Sequence, residues 1–130
     1  MFYLIGLGSN ICTDKNMDAA LRELSAIGEI CLTSERLATQ AVGDTFHSDF
    51  KNQLVVLHSE LPPTLLKQKL LRIEAMLGRE PKSPSRKTRD RTIDLDILGN
   101  AESTELCRAI EPEDSYYRLI SARWHQSVNV

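Results

Sequence analysis

Residues 93–97 are Ile-Asp-Leu-Asp-Ile, a strict alternation of apolar and acidic side chains. Successive side chains of a β-strand point to opposite faces, so this alternation predicts a strand with an apolar face and an acidic face. Asp94 and Asp96 would then lie about 6–7 Å apart. Two such carboxylates repel each other and are costly to desolvate. Any fold containing this strand must bury one face in a core and supply the other with water or a cation.

A hard divalent cation would offset this repulsion, and Mg²⁺ is commonly held by one or two carboxylates together with substrate phosphates. For an isolated Asp-x-Asp the simpler alternative is an exposed strand face with two solvated acids. The preceding segment favours the metal. Residues 79–91 carry six basic side chains against two acidic ones, which predicts a mobile basic loop. Guanidinium groups neutralise phosphate charge, so this loop and the strand together predict polyphosphate chemistry.

Length and composition predict one domain spanning residues 1–130. The chain has 42% hydrophobic and 26% charged residues and a net charge of −2, which is ordinary for a globular protein with one core. The three cysteines are widely spaced, which indicates reduced thiols and a cytoplasmic location. We expect no membrane span, since no apolar run approaches ~18 residues. The first residues also lack the features of a signal peptide.

Apolar periodicity predicts the secondary structure. Residues 2–8 indicate a buried strand that ends in glycines. A helix follows, capped by Asp14 or Asn16 and ended by Gly28. We expect a second strand at residues 30–32, extending at most to residue 37, and a third at residues 54–57.

A second helix is predicted to begin at Pro62-Pro63 and to end at Gly78, before the basic loop and the acidic strand. The resulting order, β-α-β-β-α-β, is that of the ferredoxin-like α+β fold. In that fold both helices cover one face of an antiparallel sheet, and we expect the other face to be free for a site. A short additional helix is predicted near Glu113 or Asp114.

Three segments together resemble the family of 6-hydroxymethyl-7,8-dihydropterin pyrophosphokinases, enzymes of folate biosynthesis. They are GLGSN at residues 6–10, Glu74 with the Gly78-Arg79 pair, and RTIDLDI at residues 91–97. The similarity extends from residue 2 to about residue 98. It implies the ferredoxin-like fold and the transfer of the β,γ-pyrophosphoryl group from ATP to the hydroxymethyl group of the pterin, which yields AMP and the pterin diphosphate.

The resemblance also implies roles for individual residues. Asp94 and Asp96 match the pair of aspartates that holds two Mg²⁺ ions, with ATP as co-substrate. Arg79 and Arg91 match the catalytic arginines at the two ends of the loop. The matching positions for ATP are Glu74, Arg86, Ile97 and Arg118, and those for the pterin are Thr39, Val42, Phe50 and Asn52. An aromatic ring can stack on the flat heterocycle, and a carboxamide offers both a donor and an acceptor to its edge.

The sequence departs from the family where the pterin and the adenine would bind. Residues 88–90 replace an aromatic-Gly-Pro run, and Gln40 and Ala41 replace two prolines. Glu113 stands where the family has a histidine. Ile120 falls where a second pterin-stacking phenylalanine is expected, which would weaken pterin binding.

Two alternatives follow from these departures and from the fold. A divergent paralogue of the same fold would bind nucleotide and Mg²⁺ with a different acceptor or without turnover. An RNA-binding module is the remote alternative, but such a module stacks bases on exposed aromatic residues of its central strands. Residues 54–57 and 93–96 contain none. We therefore expect small-molecule substrates, a monomer, and neither nucleic acid nor membrane as a partner.

Overall fold

A computed structural model describes residues 1–39, 50–78 and 93–127. In these ranges the elements are, in chain order, β1 (Phe2–Ser9), α1 (Thr13–Ile27), β2 (Glu29–Thr33), β3 (Leu37–Thr39), β4 (Phe50–His58), α2 (Pro63–Met76), β5 (Asp94–Ala101), α3 (Thr104–Arg108) and α4 (Ser115–Ser127).

The described strands form one antiparallel sheet in the order β2-β4-β1-β5. The short strand β3 pairs with the first residues of β4 beside this path. With β3 set aside, the order of elements is β-α-β-β-α-β, so the predicted ferredoxin-like α+β fold is confirmed. β1 lies at the centre and pairs along its whole length with β4 on one side and with β5 on the other.

The predicted boundaries were correct for α2 and incomplete for the strands. Pro63 occupies the first turn of α2, where its missing N–H leaves no hydrogen bond unmade, and Gly78 follows the helix with a positive φ of 91°. The expected second strand is two strands, β2 and β3. β4 begins at residue 50, four residues earlier than predicted, because three polar residues follow Phe50 and interrupt the apolar run from which the strand was predicted.

The predicted cap of α1 was wrong. The helix begins after Cys12, which adopts a left-handed conformation and makes no side-chain cap. Asn16 donates its side-chain amide to the carbonyl of Ile11 at 2.6 Å. Asp14 instead forms ion pairs with Arg36 and Lys51, each at 3.1 Å. Asp14 is the second residue of the helix, past the cap position, and its carboxylate pairs with cations from distant parts of the chain.

Each face of the sheet carries its own apolar cluster. The helix-side core lies between the sheet and helices α1 and α2; it contains Tyr3, Ile5, Leu7, Met17, Ala20, Leu24, Val55, Leu57, Leu66, Leu70, Ile73, Ile93 and Leu95. The C-terminal core lies on the opposite face, under α3 and α4; it contains Leu4, Leu54, Val56, Cys107, Tyr117, Ile120 and Trp124.

The second face of the sheet was expected to be free, and it is covered in part by the C-terminal segment. The predicted short helix corresponds to α4, whereas α3, which has five residues, was not predicted. α4 is amphipathic, with buried Tyr117, Ile120 and Trp124 at helical spacing. In the described ranges, no helix combines the length and the apolar character needed to cross a bilayer.

Candidate functional site

The two aspartates of β5 lie on the face that carries the C-terminal core. Their neighbours Ile93 and Leu95 are buried in the helix-side core, at 0% and 6% exposure. Asp94 and Asp96 are partly exposed on the opposite face, as the alternation predicts. The strand therefore separates an apolar side that anchors it from an acidic side that is available to a ligand.

Strand register aligns Asp94 with a polar side chain two strands away. Asp94 pairs with Gly8 of β1, and Gly8 pairs with Asn52 of β4. Residues that pair directly across antiparallel strands place their side chains on the same face. Asp94, Gly8 and Asn52 consequently form one row across the sheet, which we call the site row. Neighbouring strands lie about 4.8 Å apart, so the backbones of Asp94 and Asn52 are separated by about 10 Å.

Glycine at two positions of β1 lets side chains from other elements rest on the strand. A Cβ atom at Gly8 would lie 2.9 Å from Oδ1 of Asn52. A Cβ atom at Gly6, which pairs with Asp96, would lie 2.5 Å from Cζ of Tyr117. Both distances are too short for real atoms, so the absence of a side chain at these glycines is required by the observed packing.

Tyr117 is the site residue that sequence reasoning missed. Its ring lies over Gly6, and its hydroxyl oxygen lies 3.7 Å from where a Gly8 Cβ would be. A signal was present in β1. An isolated glycine inside an otherwise apolar strand often marks a close approach by another group.

Glu74 supports β5 from the opposite side. Its carboxylate is 6% exposed and accepts the backbone N–H of Leu95 at 2.8 Å. Leu95 stands between the two aspartates, so this bond joins α2 to the segment that presents both of them. The predicted contact of Glu74 with ATP stays a prediction; the structure places this carboxylate within the fold, at the backbone of β5.

Three of the residues predicted to bind the pterin lie at the same end of the sheet as Asp94. Asn52 is 3% exposed, and Phe50 is partly buried at the start of β4. Phe50 pairs with Thr39 of β3, and Asn52 pairs with Leu37 of the same strand. The register thus brings Thr39, Phe50 and Asn52 together on two adjacent strands. Their contacts with a pterin stay predictions.

Two further predicted ATP positions, Ile97 and Arg118, lie in the described ranges. Ile97 packs against the helix-side core, on the face opposite to Asp96. Arg118 is on the exposed side of α4, where its guanidinium donates to the carbonyl of Pro112 at 3.2 Å and to that of Glu113. Arg118 therefore stabilises the start of α4, and its proposed role at the nucleotide stays a prediction.

Several predicted site residues lie outside the ranges that the structure describes. They are Val42, Arg79, Arg86 and Arg91.

The donor atoms on β5 suit Mg²⁺. Among the described residues, no three His, Cys, Asp or Glu side chains cluster in a way that could enclose a metal ion. Asp94 and Asp96 offer carboxylate oxygens alone, on one face of one strand. Mg²⁺ typically takes one or two carboxylates and completes its shell with water and substrate phosphates, whereas zinc is usually bound by His or Cys. A pair of carboxylates on one strand face therefore fits Mg²⁺ bound together with a phosphate substrate.

Comparison with known proteins identifies a family. The chain matches the family model of 7,8-dihydro-6-hydroxymethylpterin-pyrophosphokinase (HPPK) over residues 4–117. It is also similar to the curated 2-amino-4-hydroxy-6-hydroxymethyldihydropteridine pyrophosphokinase of Haemophilus influenzae, with 35% identity over 97 residues. That alignment covers 72% of this chain and 59% of the relative. The matching region thus spans less than two thirds of the relative's length.

Proposed function

Because this chain belongs to the HPPK family, we propose that it transfers the pyrophosphoryl group of ATP to 6-hydroxymethyl-7,8-dihydropterin, a step of folate biosynthesis. The observation that carries the proposal is the site row. It places a carboxylate suited to Mg²⁺ and phosphate on the same sheet face as a buried carboxamide suited to a heterocyclic edge, with the side-chain-free Gly8 between them.

The proposed reaction is a substitution at the β-phosphorus of ATP. The hydroxymethyl oxygen of the pterin forms a bond to this phosphorus, the bond from the phosphorus to the oxygen bridging the α- and β-phosphates breaks, and AMP leaves. The hydroxyl proton passes to solvent. Mg²⁺ held by Asp94 and Asp96 would neutralise phosphate charge and favour deprotonation of the attacking hydroxyl. Asn52 and Phe50 would orient the pterin, which reduces the entropic cost of bringing both substrates together.

Arg79 and Arg91 are proposed to neutralise the phosphates during transfer. An arginine fork can make two parallel hydrogen bonds to phosphate oxygens. If Arg91 contacts the pyrophosphoryl group in the transition state, Arg91→Ala will lower kcat more than it weakens nucleotide binding. Arg22→Ala, which removes an exposed arginine of α1, serves as the control. A loss of nucleotide affinity with unchanged kcat would restrict Arg91 to ground-state binding.

Several narrower proposals accompany this function. We propose two Mg²⁺ ions per site, ATP contacts from Glu74, Arg86, Ile97 and Arg118, a monomeric protein and a cytoplasmic location. We also propose that neither nucleic acid nor membrane is a partner. Titration with Mn²⁺ in place of Mg²⁺, followed by electron paramagnetic resonance in the presence of an ATP analogue, counts the metal ions. Light scattering of the protein eluting from a sizing column measures its mass.

A related activity with a different acceptor is the second candidate. It is favoured by the burial of Ile120, which is 1% exposed within the C-terminal core and so offers no wall to a ligand. The resemblance to the family implies a pterin-stacking phenylalanine at this position. A chain that has lost this ring has one fewer aromatic contact with which to hold a pterin.

AMP formation from ATP and Mg²⁺, with and without the pterin, tests the proposal. Pterin-dependent AMP, accompanied by an equal amount of pterin diphosphate, is the expected result. Nucleotide binding without pterin-dependent AMP would support the second candidate. Chelation of the metal should abolish AMP formation and restored Mg²⁺ should recover it, which separates the reaction from background hydrolysis.

A further inference from the structure

The Tyr117 side chain lies on β1, the strand between β5, which carries the two aspartates, and β4, which carries Asn52. Its ring lies on Gly6, the residue of β1 that pairs with Asp96, and its hydroxyl reaches toward Gly8, the residue that pairs with Asp94 and Asn52. The Asn52 side-chain oxygen and the Tyr117 hydroxyl both lie within 4 Å of the point where a Gly8 Cβ would be. The phenol and the carboxamide therefore both lie over the same backbone residue.

Helix α4 presents this phenol rigidly. Arg108 donates to the carbonyl of Trp124 at 2.8 Å, and its guanidinium lies 5.6 Å from the centre of the Trp124 ring. Ser121 donates to the carbonyl of Ile110 at 3.4 Å. Tyr117 itself is 1% exposed. A side chain on a helix tied at several points has little freedom, so the Tyr117 hydroxyl keeps its position over Gly8.

The orientation of a buried carboxamide decides which groups it recognises. One end of the amide accepts hydrogen bonds and the other donates them, so a rotation by half a turn exchanges the two. A phenolic O–H can donate to the oxygen end and thereby direct the NH₂ end elsewhere. In a buried setting, this preference is stronger than in water.

We propose that Tyr117 is a positioning residue for acceptor recognition, which acts by fixing the orientation of the Asn52 carboxamide. The inference rests on the proposed function, since it concerns how that site selects its acceptor. Gly6 leaves the space that the Tyr117 ring occupies, because a Cβ atom at this residue would clash with the ring. The ring that α4 contributes to the site is then Tyr117, one turn before the buried Ile120, and it acts through Asn52.

A second buried tyrosine provides a matched control. Tyr3 is also 1% exposed; it belongs to β1, the strand on which the Tyr117 ring rests, and its side chain lies in the helix-side core. Its hydroxyl donates to the carbonyl of Leu61 at 2.6 Å. Tyr3→Phe and Tyr117→Phe each remove one hydroxyl from a fully buried ring. They differ in whether that hydroxyl stands beside Asn52.

The test measures the affinity for 6-hydroxymethylpterin by its fluorescence, with Mg²⁺ and a non-hydrolysable ATP analogue present. Tyr117→Phe should weaken pterin binding by about 5- to 10-fold, the effect of one buried hydrogen bond, and leave the affinity for the nucleotide unchanged. Tyr3→Phe should leave both affinities unchanged. In an Asn52→Ser background, Tyr117→Phe should have no further effect, because the residue through which it acts is already missing.

Two results would overturn the inference. One is an equal effect of the two tyrosine variants on pterin affinity, which would reduce Tyr117 to a packing residue. The other is a full additional loss from Tyr117→Phe in the Asn52→Ser background, which would show that Tyr117 acts independently of Asn52.

A nitrogen-15 NMR spectrum tests the positioning role independently of the proposed activity, because it reports the side-chain amide signals of Asn52. Asn52→Ser identifies these signals by their disappearance. A shift of the signals in Tyr117→Phe and not in Tyr3→Phe supports the positioning role even if the protein makes no AMP with a pterin. Signals that stay in place would overturn it even if the pyrophosphokinase activity is found.

Discussion

The carboxylate of Glu74 in α2 accepts the backbone N–H of Leu95 in β5 at 2.8 Å, and both residues are buried. This bond joins β5 to α2 at Leu95, the residue that stands between Asp94 and Asp96. The Glu74 oxygen gives a buried backbone donor its partner, and a buried N–H left without an acceptor would be costly. The position of the proposed metal ligands therefore depends on a residue on the other side of the sheet.

Replacement of Glu74 should lower the stability of the protein according to how much of the bond to Leu95 is lost. Glu74→Ala would leave the Leu95 N–H without this acceptor, and we expect a loss of about 1–3 kcal/mol in the free energy of unfolding. Glu74→Gln keeps an acceptor oxygen and should lose less. Urea unfolding followed by circular dichroism measures both. Equal losses for the two variants would indicate that the charge, rather than the bond to Leu95, matters.

Asp96→Ala should abolish Mg²⁺-dependent AMP formation and leave the fold intact. Asp96 is partly exposed on the acidic face of β5, so its removal takes away a proposed metal ligand without opening the core. Glu111→Ala, which removes an exposed acid between α3 and α4, is the control. Normal turnover by Asp96→Ala, with circular dichroism unchanged, would rule out the metal assignment.

Gly6→Ala should destabilise the protein through Tyr117. The new Cβ would lie 2.5 Å from Cζ of the ring, so either the ring or β1 must move. Overpacking of this kind costs about 1–3 kcal/mol. Combining the change with Tyr117→Leu should make the two effects less than additive, because the smaller side chain removes the clash. Full additivity in urea unfolding would contradict the observed contact.

Cys107 should remain unreactive in the folded protein. It is fully buried, and burial, with a smaller contribution from the nearby Cys31, raises the pKa of its thiol to about 11 from the ordinary 9.0. Alkylation by iodoacetamide near pH 8 should label the exposed Cys12 rapidly and Cys107 only after unfolding. Mass spectrometry of the labelled peptides over time distinguishes the two sites.

The same raised pKa predicts a loss of stability in alkali. Below pH 9.0 the thiol is protonated in both states, so its contribution to stability is fully present. Between that pH and about 11 the unfolded chain ionises while the folded one does not, and the contribution falls. Cys107→Ala should flatten this part of the stability profile relative to the unchanged protein. An identical profile in both proteins would contradict the raised pKa.

Asp14 should give the opposite pH dependence. Hydrogen bonds and charge attraction from Lys51 and Arg36 hold the pKa of its carboxyl below the ordinary 3.8. The ion pairs therefore contribute stability above that pH and lose it as the pH falls through the lowered pKa. Asp14→Asn should lower the melting temperature slightly at pH 7 and have no effect in strong acid. High salt should also shrink the difference, since these groups are exposed.

The sequence was sufficient for the β-α-β-β-α-β order and for the acidic face of β5, although β3 and α3 were not predicted as separate elements. Those features depend on local periodicity, and Ile93–Ile97 shows that periodicity without interruption. It was insufficient for Asp14, whose side chain was expected to cap α1. Asp14 lies past the cap position of the helix, and only the tertiary fold brings Arg36 and Lys51 within reach of its carboxylate.

The position of Tyr117 over Gly8, on the same side as Asn52, also could not be predicted from the sequence. It depends on strand register and on α4 returning over the sheet, both of which are long-range features. Similarly, Glu74 carries no local mark of its bond to Leu95, because the partner is a backbone N–H and not a side chain. For the predicted Arg79, Arg86, Arg91 and Val42, the function rests on the resemblance to the family.

One irregularity in β5 determines which way its aspartates point. The pairing with β1 shifts between Leu4 and Ile5, so that Leu98 is an extra residue in β5 with no partner of its own. Without this bulge, strict alternation from Ala101, which packs on the C-terminal core, would turn Asp94 and Asp96 into the helix-side core. The gain or loss of a single residue at this point would therefore bury both carboxylates among apolar side chains, so that β5 tolerates changes in length here only in pairs of residues.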